Sequence, residues 1–324
     1  LPPCAWSSEL LRYRHLVLAW LLALAWLVPG LARAADPLVW VALSDAGGAY
    51  AEAAATLRDE LGPAAQRVEL RVAPWQEMLG ASARPPQLIV TLGAAAFRAM
   101  VENAQGESAM ARVPILAALL PRTSYEALAP KSRVSTSAVF LDQPVGRYIE
   151  LLRLAMPERK KIGVLLGPES SALAPALTRA ARARGLQVVS ASVSDEHEDL
   201  YPALRTVLAE ADVLLALPDT RVFNAGSLQN ILITTYRQRV PLVAFSAAYV
   251  KAGATLALYA SPAQAASQAA AMVRIFLGGR GLLPPQSALE FSVALNERVA
   301  RSLGLPDDDP AALADTLRRQ EAAR

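Results

Sequence analysis

Six short runs of small polar residues carry most of the groups in this chain that could do chemistry. They are Ser44-Asp45, Thr91-Leu92-Gly93, Pro121-Arg122-Thr123, Gly167-Pro168-Glu169-Ser170-Ser171, Asp219-Thr220 and Ser246. Carboxylates at Asp45, Glu169 and Asp219 can accept from an ammonium or a hydroxyl, and Arg122 can donate a planar fork to an anion. The groups that would turn binding into catalysis are scarce. The chain has one cysteine, Cys4, and two histidines, His15 and His197. Cys4 and His15 lie in a leader-like segment, so the remainder has no thiol, no disulfide and one histidine, set among acids in SDEHEDL. Zinc clusters and Ser-His or Cys-His catalysis lack their parts. The residues point to noncovalent recognition, with no cofactor, no metal and no enzyme activity expected.

Each polar run follows an apolar one. LVWVAL (38–43), VELRV (68–72), QLIVTL (87–92) and VPILAAL (113–119) alternate with helical segments, and after VSTSAVFLDQPV the pattern resumes. KIGVLL (161–166), LQVVSASV (186–193), DVLLAL (212–217) and VPLVAF (240–245) alternate with helices over 145–155, 172–184, 200–209 and 227–239. Continuous Val, Ile and Leu runs separated by helices predict parallel strands buried on both faces. Two similar half-chains predict two α/β lobes. In such sheets ligands sit outside the carboxyl ends of the strands, where these polar runs fall. The same residue types also cap helices and form turns, so any single loop has that second reading.

The N-terminus reads differently. Arg12 and Arg14 precede the apolar 16–28 segment, followed by Pro29-Gly30 and Ala32-Arg33-Ala34, the order of a secretory signal peptide ending at residue 34. Its 13-residue apolar core is short of the ~20 needed to span a bilayer. A periplasmic destination is expected. Beyond it the charges nearly cancel, at 29 basic and 28 acidic residues, and no basic patch suggests nucleic acid.

The second half carries a family resemblance. DVLLALPDTRVF, then RVPLVAFSAAYVKAGATLALYASPAQAASQAAAMVRIFLGG, then LPPQSALEFSVALNERVARSLGL resembles the ABC-transporter substrate-binding family related to tryptophan- and tyrosine-binding proteins. The matching features are Pro218-Asp219, Pro241-Leu242-Val243, the turn from Tyr249 to Ala254, a crossing Tyr259, the Ala-rich 263–277 helix, and Asn296 capping a helix before Leu303-Gly304. The resemblance implies a type I periplasmic-binding fold: two Rossmann-like lobes with parallel sheets joined by a multi-strand hinge. It implies discontinuous lobes, 36–140 plus 258–284 and 141–257 plus 285–324. It further implies a monomer that captures a small-molecule ligand between the lobes and delivers it to an ABC permease. The alternative is a periplasmic sensor or accessory protein that engages another inner-membrane protein, its cleft altered or vestigial.

Two departures bear on the ligand. Relatives that bind amino acids often carry Tyr-Asn-x-x-Glu-x-Asn-Ser where this chain has Leu166-Gly167-Pro168-Glu169-Ser170-Ser171, and an Asp-Pro where it has Leu120-Pro121. The expected ligand-binding set is Ser44, Asp45, Thr91, Gly93, Arg122, Gly167, Glu169, Ser170, Ser171, Asp219, Thr220, Ser246 and Tyr249. Tyr249 and Tyr259 each read equally well as ligand walls or as interface packing. Gly47-Gly48 reads as a turn and helix start, since no phosphate-loop motif surrounds it. The tail predicts a surface helix, with Asp309 as N-cap, Pro310 at the first position, and Leu313 and Leu317 on one face.

Overall fold

The computed structural model describes residues 36–62, 68–79, 84–105, 109–129, 134–194, 199–306 and 308–323. The leader-like segment 1–34, with Cys4 and His15, and His197 lie outside the described residues.

The elements run in the order β1 (Leu38–Leu43), α1 (Gly48–Leu61), β2 (Glu69–Pro74), α2 (Trp75–Met78), β3 (Leu88–Leu92), α3 (Ala94–Ala104), β4 (Ile115–Leu120), α4 (Arg122–Leu128) and β5 (Thr136–Phe140). Next come α5 (Val145–Ala155), β6 (Lys161–Leu166), α6 (Ala174–Arg182), β7 (Gln187–Ser192), α7 (Leu200–Leu208), β8 (Val213–Leu215), α8 (Leu228–Arg237) and β9 (Leu242–Ala244). The chain closes with α9 (Ala247–Ala252), β10 (Leu256–Tyr259), α10 (Pro262–Ile275), β11 (Gln286–Ser287), β12 (Ser292–Leu295), α11 (Glu297–Ser302) and α12 (Pro310–Ala322).

The strands form two six-stranded sheets, ordered β11-β5-β4-β3-β1-β2 and β12-β10-β9-β8-β6-β7. The first is parallel throughout. The second is parallel except that β12 runs antiparallel to β10. Every residue of β1, β3 and β4 is buried, which is why these strands read as unbroken apolar runs. The outer strands β2 and β7 are part-exposed and correspondingly more polar. Each sheet has an apolar core on both faces, so two doubly wound α/β lobes result, as expected.

The lobes exchange chain three times. β5 ends the first sheet's opening run at Phe140, and residues 141–144 lead into α5 on the second core. The second crossing comes later than residue 258, because β10 stays in ladder with β12 as far as the Tyr259–Ser292 pair. Its successor α10 returns to the first core, where Ala265, Ala266, Ala269 and Ala270 meet Ala53, Ala54, Leu57 and Leu61 of α1. Small side chains on both helices permit that close approach. A capping box fixes where α10 begins, with Ser261 accepting from Gln264 N–H at 3.1 Å and Gln264 Oε1 accepting from Ser261 N–H at 2.8 Å. The third crossing also comes later than Pro284, because Gln286 and Ser287 still pair with Val139 and Phe140 of the first sheet.

The tail helix has the expected cap, Asp309 accepting from Ala311 N–H at 3.1 Å. It is no free surface helix: Leu313, Ala314 and Leu317 are buried in the second lobe's core. No helix among the described residues is long and apolar enough to cross a membrane.

Candidate functional site

The strand-end loops divide into two kinds. In the second lobe, the loop after β6 and the loop after β8 close on each other. Asp219 is 3% exposed. Its Oδ2 accepts from the backbone N–H of Glu169 (3.0 Å), the backbone N–H of Ser170 (2.9 Å) and the Ser170 hydroxyl (2.8 Å), and its Oδ1 accepts from Arg221 N–H (3.1 Å). Ser170 Oγ also accepts from Gly167 N–H at 3.1 Å. A side chain at Gly167 would collide with this carboxylate, a Cβ there lying 2.3 Å from Asp219 Oδ1. Glu169 accepts from the Thr220 hydroxyl at 2.6 Å, and Ser171 donates to Pro168 O at 3.4 Å. Gly167, Glu169, Ser170, Asp219 and Thr220 therefore bond to one another, whereas the sequence reading has Asp219 present its carboxylate to a ligand. Four donors already surround that carboxylate, and a polar group so committed has little left to offer.

The first-lobe residues also hold local structure. Ser44 Oγ accepts from Ala96 N–H at 2.9 Å in the first turn of α3, and Asp45 Oδ1 closes a turn on Gly47 N–H at 2.8 Å. Thr91, the penultimate residue of β3, is wholly buried, and its hydroxyl has no partner among the described residues. Gly93 has φ +94°, and a Cβ there would stand 2.6 Å from Ser44 Oγ and 2.7 Å from the Tyr50 ring. The glycine is thus required twice, by conformation and by space. Tyr249 is half-buried, donates to Phe223 O at 3.3 Å, and holds its ring tilted by 49° with its centroid 4.7 Å from that of Phe245. Burial raises its phenol pKa.

Two adjoining cavities lie where the lobes face each other. The larger, about 460 Å³, takes Ala49, Tyr50, Leu119 and Pro121 from the first lobe and Pro218, Phe245 and Ser246 from the second, with Leu141, Asp142 and Tyr259 from the crossings and their approaches. The smaller, about 270 Å³, is lined by Arg122, Thr123, Gln143, Tyr148, Leu217 and Ser287 among others. Asp142 and Pro218 line both and mark their junction. Of the expected set, Arg122 and Ser246 reach these cavities. Tyr50, Leu119, Asp142, Gln143, Phe245 and Tyr259 are among the other wall residues; of these, the sequence alone offers Tyr259 as a ligand wall.

The cleft keeps its hydrogen-bonding capacity. Among the described residues the hydroxyls of Tyr50 and Tyr259 and the Ser246 side chain make no hydrogen bond, although Ser246 stands at the N-cap of α9. Arg122 lays its guanidinium over Phe140 at 4.3 Å, and its contacts to Glu126 (3.8 Å) and Ser287 (3.5 Å) are long. The Arg122 backbone N–H donates to Asp142 Oδ2 at 2.5 Å, joining the end of β4 to the first crossing. Burial holds the Asp142 carboxyl above its usual pKa, against the opposing pull of the Arg122 backbone bond and nearby charge. Beside it Leu119 sits at φ +57°, where the β4–β5 register slips between Ala118 and Leu120. A leucine held in that region is strained, and here the strain lines a cavity.

The crossings are laced together by side chains. Arg147 Nη1 donates to Gln143 Oε1 (2.6 Å) and to Ala288 O (3.1 Å), linking the first crossing to the third. Gln268 on α10 donates to Ser287 O (3.2 Å) and accepts from Leu289 N–H (2.8 Å). Tyr148, in α5, donates to Leu258 O at 3.3 Å.

Comparison with known proteins agrees with this geometry. A family model described as ABC transporter substrate binding protein matches residues 132–310, more than half of the chain. Among solved structures, a ligand-free, open substrate binding protein with adhesive properties from Clostridium difficile is 16% identical, with a TM-score of 0.64 over 85% of this chain and 97% of that one. An ABC domain in complex with L-Trp from Streptococcus pneumonia is 15% identical (TM-score 0.59, 86% and 98% covered). A conserved domain protein from Vibrio cholerae is 20% identical with the same TM-score and coverage. No curated protein matches the chain. With two doubly wound lobes around a cleft of the type I periplasmic-binding fold, the chain belongs to the ABC transporter substrate binding protein family.

Proposed function

We propose that this protein is exported to the periplasm by a cleaved signal peptide. There it captures a small organic ligand, amino-acid-like or similar, between its lobes and delivers it to an ABC permease. The observation that carries this reading is the cleft itself. An apolar chamber of about 460 Å³ has the size of a small-molecule site and a few convergent polar groups at its edge. An apolar body fits against Leu119, Pro121, Leu141 and Phe245. At the junction, Asp142 accepts from an ammonium or hydroxyl, and in the smaller chamber Arg122 donates to a carboxylate. The L-Trp complex of the Streptococcus pneumonia protein supports a ligand of this chemistry. Rotation of the lobes about the three crossings closes the cleft, with no covalent step. The test is to purify the protein, release any bound small molecule, identify it by mass spectrometry, and titrate it back by calorimetry. Stoichiometric binding, weakened at least tenfold in Asp142→Ala, is expected; a bound ligand whose affinity that variant leaves unchanged overturns the site assignment.

A second reading, a periplasmic sensor or accessory protein, draws on the self-satisfied loop at Gly167 and Asp219, which offers a ligand nothing from one wall of the cleft. A protein that purifies empty, and that no small molecule stabilises, would favour it.

A further inference from the structure

The last helix, α12, is anchored in the second lobe by Leu313, Ala314 and Leu317. Apolar cover needs no more than that. Yet two charged residues one turn apart on the same helix connect to the crossings, Arg318 directly through Phe291 and Glu321 through Arg147 of α5. Glu321 receives a two-pronged bond from Arg147, Nε to Oε1 at 2.7 Å and Nη2 to Oε2 at 2.8 Å. Arg147 is 8% exposed, and its remaining nitrogen is the one that joins Gln143 of the first crossing to Ala288 of the third. Phe291, at the end of the third crossing, has two guanidinium groups over its ring, Arg147 at 4.2 Å and Arg318 at 5.1 Å from the centroid. Arg318 also donates to Phe291 O at 2.7 Å.

We infer that α12 is a strap on the hinge, and that Arg147 and Glu321 are the clasp through which it sets the resting separation of the lobes. A lobe rotation must change backbone torsions in residues 141–144 and 288–291, because those segments join the sheets. A forked guanidinium–carboxylate pair is planar and directional, and its guanidinium side is buried while Glu321 stays partly exposed, so geometry more than screening makes it resist the relative movement of the segments it joins. Gln143 also lines the smaller chamber, so the strap and the cleft share a residue. Arg147 and Glu321 act here as positioning residues, touching no ligand themselves.

The test reads lobe separation directly, without a ligand. Cys4 is the one cysteine of the chain, so Cys4→Ser with Glu102→Cys and Glu210→Cys, exposed positions on opposite lobes, accepts a donor and an acceptor dye. Single-molecule energy transfer then gives the distribution of separations. Glu321→Gln should at least double its width, and Arg318→Gln, which frees Phe291 O from the same helix, should widen it less. Arg274→Gln removes an ion pair to Glu60, between α10 and α1 and away from the crossings, whose arginine is more exposed than Arg147. It should lower the melting temperature and leave the distribution unchanged. Parent-like distributions in both strap variants, or equal widening in Arg274→Gln, overturn the proposal. If Glu321→Gln does not fold, the Arg318→Gln result decides alone.

Discussion

Asp219 and Asp142 both follow strands of a lobe and both are largely buried, but only Asp142 lines the cleft, and the two do opposite work. Asp219 gathers four donors from its own neighbourhood and ties two loops together. Asp142 accepts one backbone N–H across the first crossing and turns toward two cavities, beside hydroxyls that make no bond within the protein. A buried polar group is informative for function when its partners are missing, and informative for architecture when they are all present.

That contrast can be broken by substitution. Asp219→Ala should have the largest effect on stability, because four donors lose a buried acceptor at once; a loss of about 3 kcal/mol in denaturant unfolding is expected. Ligand affinity measured well below the melting temperature should change little, and a large affinity loss in a normally stable variant would restore Asp219 to the cleft. Gly93→Ala comes next. It combines a backbone conformation almost confined to glycine with displacement of Tyr50, so about 2 kcal/mol of stability and a measurable part of ligand affinity should fall together. Tyr50→Phe should separate the two effects, with stability within about 0.5 kcal/mol of the parent and a weaker ligand.

The smallest effect concerns pH. Because burial raises the Asp142 pKa, the folded protein binds this proton more tightly than the unfolded chain does. The contribution to stability is therefore present below the unfolded carboxylate range and is lost as pH rises through the higher folded value. Asp142→Asn keeps an acceptor for Arg122 N–H and removes this dependence. Melting curves of parent and variant from pH 4 to 7 should diverge in the variant's favour as pH rises. Parallel curves would place Asp142 with the ordinary surface carboxylates.

The fold was legible because its strongest signal is local. Runs such as LIVTL and ILAALL show burial on both faces, and Asn296 and Asp309 sit where helix caps belong, the first bonding Val299 N–H at 3.2 Å. The site was less so. Serine, aspartate and glycine at a strand end satisfy a helix N-terminus as readily as a ligand, and in the Gly167 loop the helix and the neighbouring loop had the prior claim. Tyr50 lies one turn inside an amphipathic helix, and Phe245 reads as the last residue of a strand, so neither has a pattern that separates cleft from core. Asp142 and Gln143 lie in a crossing, where no periodicity exists to be read. The crossings after β10 and β11 were expected a few residues too early, because the proline pair at 284–285 resembles a boundary while the pairing that decides it, Gln286 with Val139, is long-range.

The union of α1 with α10 also has a consequence in time. The first lobe's core needs Ala265 to Val273, some two hundred residues beyond the Ala53–Leu61 stripe they cover. A chain emerging from its N-terminus therefore cannot finish its first lobe until most of the second has been made, and the half-built sheet waits with an apolar face uncovered. Contacts of such long sequence separation form slowly, and exposed apolar faces invite aggregation meanwhile. If the proposed export takes the chain across a membrane before it folds, the same delay is useful, since the segment that completes the lobe arrives late enough to keep the leading half open for passage.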